Sequence, residues 1–226
     1  MRTKTLLLAA AISAAGIAAS LAQSNVYSLN VVGYVNIALA AGQNLIANPL
    51  DVDGTGTNNN LTTVFGNQVQ GGEIVSAFNG ASYDSATYSA KLNVWQGPNL
   101  PAVNAGLQPG KGAFVFVGTA TNVTVVGNVL QGQPLTQQYA AGFSILSSKV
   151  PQTGLLATDL KYGPAGGDIV QKFNSGTQNY ISPAATYSAK LNAWANPPGE
   201  PTINVGEGFF LFSSAGGTWT RNFTVQ

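Results

Sequence analysis

The sequence predicts an all-β protein: two tandem β-sandwich or small-barrel units packed together behind an N-terminal signal peptide. Three observations carry that prediction. Short apolar runs recur between Gly, Pro and Asn residues, the spacing of many short strands joined by turns. Whole blocks of sequence return once, at offsets of 95 to 100 residues. Apolar residues make up 45% of the 226-residue chain, enough for a packed core, while charged residues are only 8%, against about 25% in an ordinary soluble domain.

At the N-terminus, Arg2 and Lys4 precede an Ala-rich apolar stretch from Leu6 to Ala19, too short for a typical membrane-spanning helix. Ser20-Leu21-Ala22 supplies small residues three and one before a cut after Ala22. Residues 1–22 therefore read as a signal peptide, with an uncleaved membrane anchor as the alternative. The first β unit then runs over 23–129 and the second over 130–226. Export places the protein outside the cytoplasm, as an extracellular, cell-surface or periplasmic protein. No later segment reads as a membrane span. The strand-like runs fall short of the roughly 9–11 residues of a membrane β-barrel strand, and Pro49, Pro101, Pro151 and Pro183 interrupt them.

The repeat is visible by eye. ATYSAKLNVW at 86–95 returns as ATYSAKLNAW at 185–194, and GGEIVSAFN at 71–79 returns as GGDIVQKFN at 166–174. PGKGAFVF at 109–116 returns as VGEGFFLF at 205–212, AAG at 40–42 returns at 140–142, and NVTV at 122–125 returns as NFTV at 222–225. Within a unit, Val35, Ile37 and Leu39 alternate with Asn36 and Ala38, the period of a half-buried strand. Leu45-Ile46-Ala47 is a brief strand stopped by Asn48-Pro49. Leu61 to Phe65, after a run of Asn, predicts one helical turn. Ile74 and Phe78 face one way, as do Ile169 and Phe173. Phe114 to Val117 and Phe209 to Phe212 are apolar on both faces and predict central, buried strands, with Gly110, Gly112, Gly206 and Gly208 marking tight turns or bulges beside them. The short linker, Gly127 to Pro134, favours units packed on each other.

The blocks GYVNIALAAGQNLIANPLD (33–51), FNGASYD (78–84), LQPGKGAFVFV (107–117) and VGEGFFLF (205–212) resemble a pattern of secreted tandem β-repeat proteins of environmental bacteria. There a G-x-N-L-I-x-N-P segment opens each unit, an F-x-G-x-x-Y segment follows, and a G-x-G-F-F-V strand comes near the end. The second copy departs from it, with GFSILSSKV (142–150) lacking the Asn-Pro pair. The resemblance implies an exported, surface-associated or adhesin-like β protein, and it transfers no active site.

Composition excludes several chemistries. The chain has no cysteine, hence no disulfide, thiol nucleophile or iron–sulfur cluster, and no histidine, hence no His-based triad or common zinc site. Removing Arg2 and Lys4 from nine basic residues leaves seven against eight acidic ones, and no basic run offers a nucleic-acid footprint. A surface of Asn, Gln, Ser, Thr and Gly has little charge repulsion to keep molecules apart.

The expectation is thus a non-catalytic structural or assembly protein that needs no cofactor, with self-association or an extracellular glycan as its partner. For the glycan alternative, Trp95 and Trp194 hold equivalent positions. If the preceding strand alternates regularly, Tyr88, Ala90, Leu92 and Val94 face the core, and Trp95 joins Ser89, Lys91 and Asn93 on the outer face. The second copy repeats this with Trp194, Lys190 and Asn192. An exposed Trp beside Lys and Asn can stack on a sugar ring; a Trp tucked under a loop is the favoured competing reading. Asp51 and Asp53, in Asp51-Val52-Asp53-Gly54-Thr55-Gly56-Thr57-Asn58, fit part of a calcium loop, with a polar turn the favoured reading. Glu73 and Asp168, each after a Gly-Gly pair, hold equivalent positions and could in principle serve a glycoside hydrolase, and turn carboxylates accepting backbone N–H bonds explain them more simply. Asn60, Asn122 and Asn222 match the glycosylation sequon.

Overall fold

A computed structural model of the protein describes residues 31–56, 58–195 and 197–225. The segment read from the sequence as a signal peptide, 1–22, lies outside the described residues. The fold is all-β: its strand pairings are antiparallel, no sheet closes on itself, and the described helices are short. No described helix is long and apolar enough to cross a membrane.

The first half builds β1 (Val32–Leu39), β2 (Gly42–Ile46), α1 (Leu61–Phe65), β3 (Ile74–Phe78), β4 (Tyr83–Ser89), β5 (Val94–Gln96), α2 (Leu100–Ala105), β6 (Ala113–Val117) and β7 (Thr121–Asn128). Five of these strands form one sheet in the order β2-β6-β3-β4-β5, and β1 pairs with β7 as a ribbon. The alternation read along 35–39 holds: Val35, Ile37 and Leu39 are buried, as are Val123 and Val125 across the ribbon. Their side chains meet Val75, Tyr88, Trp95, Val115 and Val117 of the sheet in one apolar cluster. The predicted helical turn is α1. Asn60 starts it by accepting from the Thr62 and Thr63 amides at 3.0 and 3.1 Å, and Thr63 Oγ1 accepts from the Asn60 amide at 3.0 Å, a reciprocal cap that satisfies otherwise orphaned donors.

The second half builds β8 (Leu135–Tyr139), β9 (Gly142–Leu146), β10 (Gly154–Leu155), β11 (Ile169–Gln171), β12 (Phe173–Asn174), β13 (Asn179–Tyr180), β14 (Ala185–Ser188), β15 (Ala193–Trp194), β16 (Thr202–Ile203), β17 (Phe209–Ser213) and β18 (Gly217–Arg221). Its five-stranded sheet runs β9-β17-β11-β14-β15, and β8 pairs with β18. Strands related by the sequence repeat thus hold the same places in the two sheets. Register agrees as well: Gln43 pairs with Phe116 and Phe143 with Phe212, while Ser76 pairs with Phe114 and Gln171 with Phe210. Two-residue pairs β10–β16 and β12–β13 complete this half. Trp219 sits in the second core and donates its indole N–H to Leu160 O at 2.9 Å.

The two sheets meet through their edge strands, β2 and β9. Ile46 at the end of β2 bridges to Glu207, just before β17, and Leu146 at the end of β9 bridges to Lys111, just before β6. The backbone bonds come in matching pairs: Ala47 N donates to Gly206 O at 2.9 Å, and Ser147 N donates to Gly110 O at 3.0 Å. Gly208 N adds a bond to Leu45 O at 3.2 Å. Glycine is required here by close approach. A Cβ on Gly208 would stand 2.9 Å from Ile46 O, and one on Gly112 would stand 2.7 Å from Ile145 Cγ2 and 2.9 Å from Ile46 O. Beneath this contact Leu45, Phe114, Ile145 and Phe210 form a separate buried cluster with Phe78 and Phe173 against it. This accounts for the two-faced apolarity of β6 and β17. Val115 and Leu211 serve the two main cores, while Phe114 and Phe210, on the opposite faces, serve the junction.

Gly112→Ala and Gly208→Ala are each expected to lower stability by about 1–3 kcal/mol through overpacking. The readout is a lower urea midpoint at unchanged slope. Gly118→Ala, where a Cβ meets nothing within 4 Å, is the control and leaves the midpoint in place.

Candidate functional site

The two Trp hairpins are built alike. Tyr88 pairs with Trp95 and Tyr187 with Trp194, so each Trp lies on the same face as its Tyr. Ring centroids are 5.3 Å apart in the first pair and 5.4 Å in the second, and Phe65 stands 5.5 Å from Trp95. Trp95 is 8% exposed and Trp194 9%. The regular alternation expected along 88–95 does not occur, and the outward placement of Trp95 is corrected accordingly. Residues after Ser89 form a turn, in which Asn93 takes a left-handed backbone (φ 56°), and Asn192 does the same (φ 48°). Asn tolerates that conformation better than most residues. The turn resets the phase, so Leu92, Val94 and Leu191 are the exposed residues instead.

Asn93 and Asn192 are therefore turn residues whose side-chain carbonyls accept from the Tyr88 and Tyr187 hydroxyls, the latter at 2.8 Å. Lys91 and Lys190 lie exposed at the hairpin tips. Each Trp still borders a cleft, of about 400 Å³ beside Asn60, Thr62, Asn93 and Asn104 for Trp95, and about 410 Å³ beside Thr158, Asn192 and Glu200 for Trp194. The two indole N–H groups are buried and have no partner among the described residues.

The Asp51 loop is held by hydrogen bonds within the protein. Asp51 is buried, and its two oxygens accept from Asn59 Nδ2 at 3.0 Å and Gly56 N at 2.9 Å. Asp53 is exposed and accepts from the Thr55 amide at 3.0 Å and the Thr55 hydroxyl at 2.8 Å, which hold its carboxyl below the usual range. This is the geometry of a polar turn. Glu73 accepts from the Gln70 and Gly71 amides at 2.8 and 2.7 Å. Asp168 is fully buried and accepts from Ala165 N at 2.8 Å and from the Tyr162 hydroxyl at 2.6 Å. Both carboxylates tie down their Gly-Gly turns. Of the sequon residues, Asn60 caps α1, while Asn122 and Asn222 are exposed.

Sequence reading missed an aromatic cleft at the junction of the two sheets. Tyr83, Phe114, Phe173 and Tyr180 line it with Gln43 and Ser76, enclosing about 360 Å³. Its rings belong to a network in which contacts occur twice. Phe78 lies 5.3 Å from Tyr83 and 5.7 Å from Phe210; Phe173 lies 5.5 Å from Tyr180 and 5.2 Å from Phe114. Tyr83 and Tyr180 are 43% and 48% exposed, which makes them the accessible rim. Burial, then the neighbouring Tyr180 hydroxyl, pushes Tyr83 up to about 12. The missed signal was the likeness of FNGASY to FNSGTQNY, which sets Phe78 and Phe173 opposite Tyr83 and Tyr180 beside the turns of their hairpins. A second junction cleft of about 560 Å³ contains Lys111 and Phe143; burial, then Lys149, holds the Lys111 ammonium below its usual range.

Compared with family models, curated proteins and solved structures, the chain matches none.

With Trp95, Trp194 and Trp219 all buried, acrylamide quenching of the folded protein is expected to be weak and to rise several-fold on unfolding; strong quenching before unfolding contradicts the Trp placement. Alkaline pH supplies a second expectation. Burial, then the Asp168 bond, raises Tyr162 above the usual tyrosine range, and Tyr83 is raised too. A raised group contributes stability that is complete below its unfolded value, about pH 10, and lost as pH climbs toward the folded one. The urea midpoint therefore holds to about pH 10 and then falls. Tyr162→Phe flattens that fall, while costing about 1–3 kcal/mol at neutral pH by removing a donor from buried Asp168.

Proposed function

We propose that this chain is a non-catalytic, secreted or cell-surface structural protein, made of two copies of one β unit, that assembles through uncharged faces. The sequence repeat and the shared strand order of the two sheets support the two-copy reading. The observation that carries the assembly reading lies on the ribbons. The outward residues Val32, Tyr34 and Asn36 on β1, and Asn122 and Val126 on β7, carry no charge. Nor do Thr136 and Gln138 on β8 or Thr218 and Thr220 on β18. Arg221 is the one charged residue on these four strands, and it is buried. Exposed strands in soluble proteins ordinarily carry charges that discourage pairing with another chain. Here Tyr34, 72% exposed, lies directly across from Val126, 53% exposed, with Val32 on the same face. Such a face loses apolar area to water at little electrostatic cost when it meets another copy.

The alternative, a carbohydrate-binding or adhesive module using Trp95 and Trp194, has only two buried rings that border clefts to work with. A carboxylate-only hydrolase would have to draw on Glu73 and Asp168, both committed to turns.

Light scattering of the mature chain over a wide concentration range tests assembly. The expected result is mass rising with concentration, and a Tyr34→Lys, Val126→Lys double variant that needs at least tenfold more protein to assemble. A wild-type protein that stays monomeric throughout overturns the proposal.

A further inference from the structure

The aromatic network at the junction is matched in its ring contacts but not in its rim. Repeat-related positions 43 and 143 lie at the same register of β2 and β9, yet one is Gln and the other Phe; positions 76 and 171 are Ser and Gln. Where the second copy puts the Phe143 ring 5.0 Å from Phe212 and 6.4 Å from Phe210, the first copy leaves an amide and a small hydroxyl at the edge of an open cleft. Phe114 and Phe173 meet edge-to-face at 5.2 Å inside that cleft, while the Tyr83 and Tyr180 rings stay partly in water.

The cleft is held in shape from both sheets. Gln178, in the turn between β12 and β13, accepts from Gln43 N at 2.7 Å and donates to Gln43 O at 3.0 Å, so the wall carrying Phe173 and Tyr180 is pinned to β2. The Gln43 side chain itself has no hydrogen-bond partner among the described residues. Ser76 shares a 2.8 Å hydrogen bond with Ser85, one strand over.

We propose that this junction cleft binds a ring of a neutral glycan. Its chemistry selects that class. None of the six lining residues is charged, and the rings offer apolar walls against which the C–H face of a pyranose stacks. Gln43, Ser76 and the two tyrosine hydroxyls supply both donors and acceptors at the rim. A purely alkyl occupant would bury the Gln43 amide without a partner, which costs free energy that a sugar hydroxyl avoids. The volume, about 360 Å³, lies at the small end of ligand clefts, enough for a terminal or single internal ring. The cleft is distinct from the two Trp hairpins and from the ribbon faces.

Calorimetric titration of the mature chain tests this, using neutral oligosaccharides of glucose, galactose and mannose, an oligogalacturonate, and octanol as the alkyl probe. At least one neutral oligosaccharide is expected to bind. Tyr180→Ala should weaken it about tenfold, the loss of one stacked ring. Gln43→Phe, which copies the residue already present at position 143, should abolish it while leaving the far-ultraviolet circular dichroism unchanged. The Tyr34→Lys, Val126→Lys variant should bind as wild type, which separates this site from assembly. No binding by any neutral sugar overturns the proposal. So does sugar binding that Gln43→Phe leaves intact, or binding of octanol or oligogalacturonate in the absence of neutral-sugar binding. Should Tyr180→Ala fail to fold, Gln43→Phe decides alone.

Discussion

Two sheet edges, β2 and β9, are closed by each other's neighbouring loops, and much of the architecture depends on that exchange. An open sheet edge presents unpaired N–H and C=O groups. Here Ala47 N and Ser147 N find Gly206 O and Gly110 O, carbonyls that belong to the opposite half of the chain. Each bond adds only about 0.5–1.5 kcal/mol net, but leaving a buried backbone group unpaired would cost about 1–3 kcal/mol. The loops can come this close because Gly112 and Gly208 have no Cβ. Once the edges are sealed, Leu45, Ile145, Phe114 and Phe210 lie under them and leave water. Each side chain buried in this way contributes about 1.5–3 kcal/mol.

The same exchange positions everything else at the junction. Val205, ahead of β17, packs on the first core, and Gly206 lies against Ile37. Lys172 and Glu207 form a salt bridge at 2.9 Å beside the exchanged loop. The aromatic pairs Phe78–Tyr83 and Phe173–Tyr180 are brought together at the seam, each completing the other's network. A cleft between two sheets is a natural consequence when the two contributions are not identical, and residues 43 and 76 differ from 143 and 171.

What the sequence disclosed followed from local rules. Alternation along 35–39 announced a half-buried strand, because burial on one face imposes a period of two, and its partner β7 came only with the structure. Leu61 to Phe65, after a run of Asn, announced one helical turn, and the structure adds the Asn60 cap. The two-faced apolarity of Phe114 to Val117 and Phe209 to Phe212 announced central strands, and they lie second in their sheets. For Trp95 and Trp194 the favoured reading, a ring tucked inward, agrees with their burial, while the conditional outward face fails for a local reason: a left-handed Asn at 93 and 192 ends the alternation before the Trp is reached. Helix α2 escaped notice because its Leu-Pro-Ala-Val-Asn-Ala stretch carries only one fully buried side chain, Val103. The junction cleft left only the likeness of FNGASY to FNSGTQNY as a trace, since its walls bring residues from Gln43 to Tyr180 together by sheet-to-sheet contact that no local pattern encodes.

The reciprocal edge closure is tested most directly by amide hydrogen exchange at Ala47 and Ser147. Both amides lie just past the last residue of an edge strand, where an unsealed edge would exchange at rates near those of exposed loops. The account predicts protection at both positions comparable to that of Val115 and Leu211 in the central strands, lost together in Gly208→Ala. Fast exchange at Ala47 and Ser147, with the central strands still protected, would show that the two sheets do not hold each other's edges and would remove the basis for the junction.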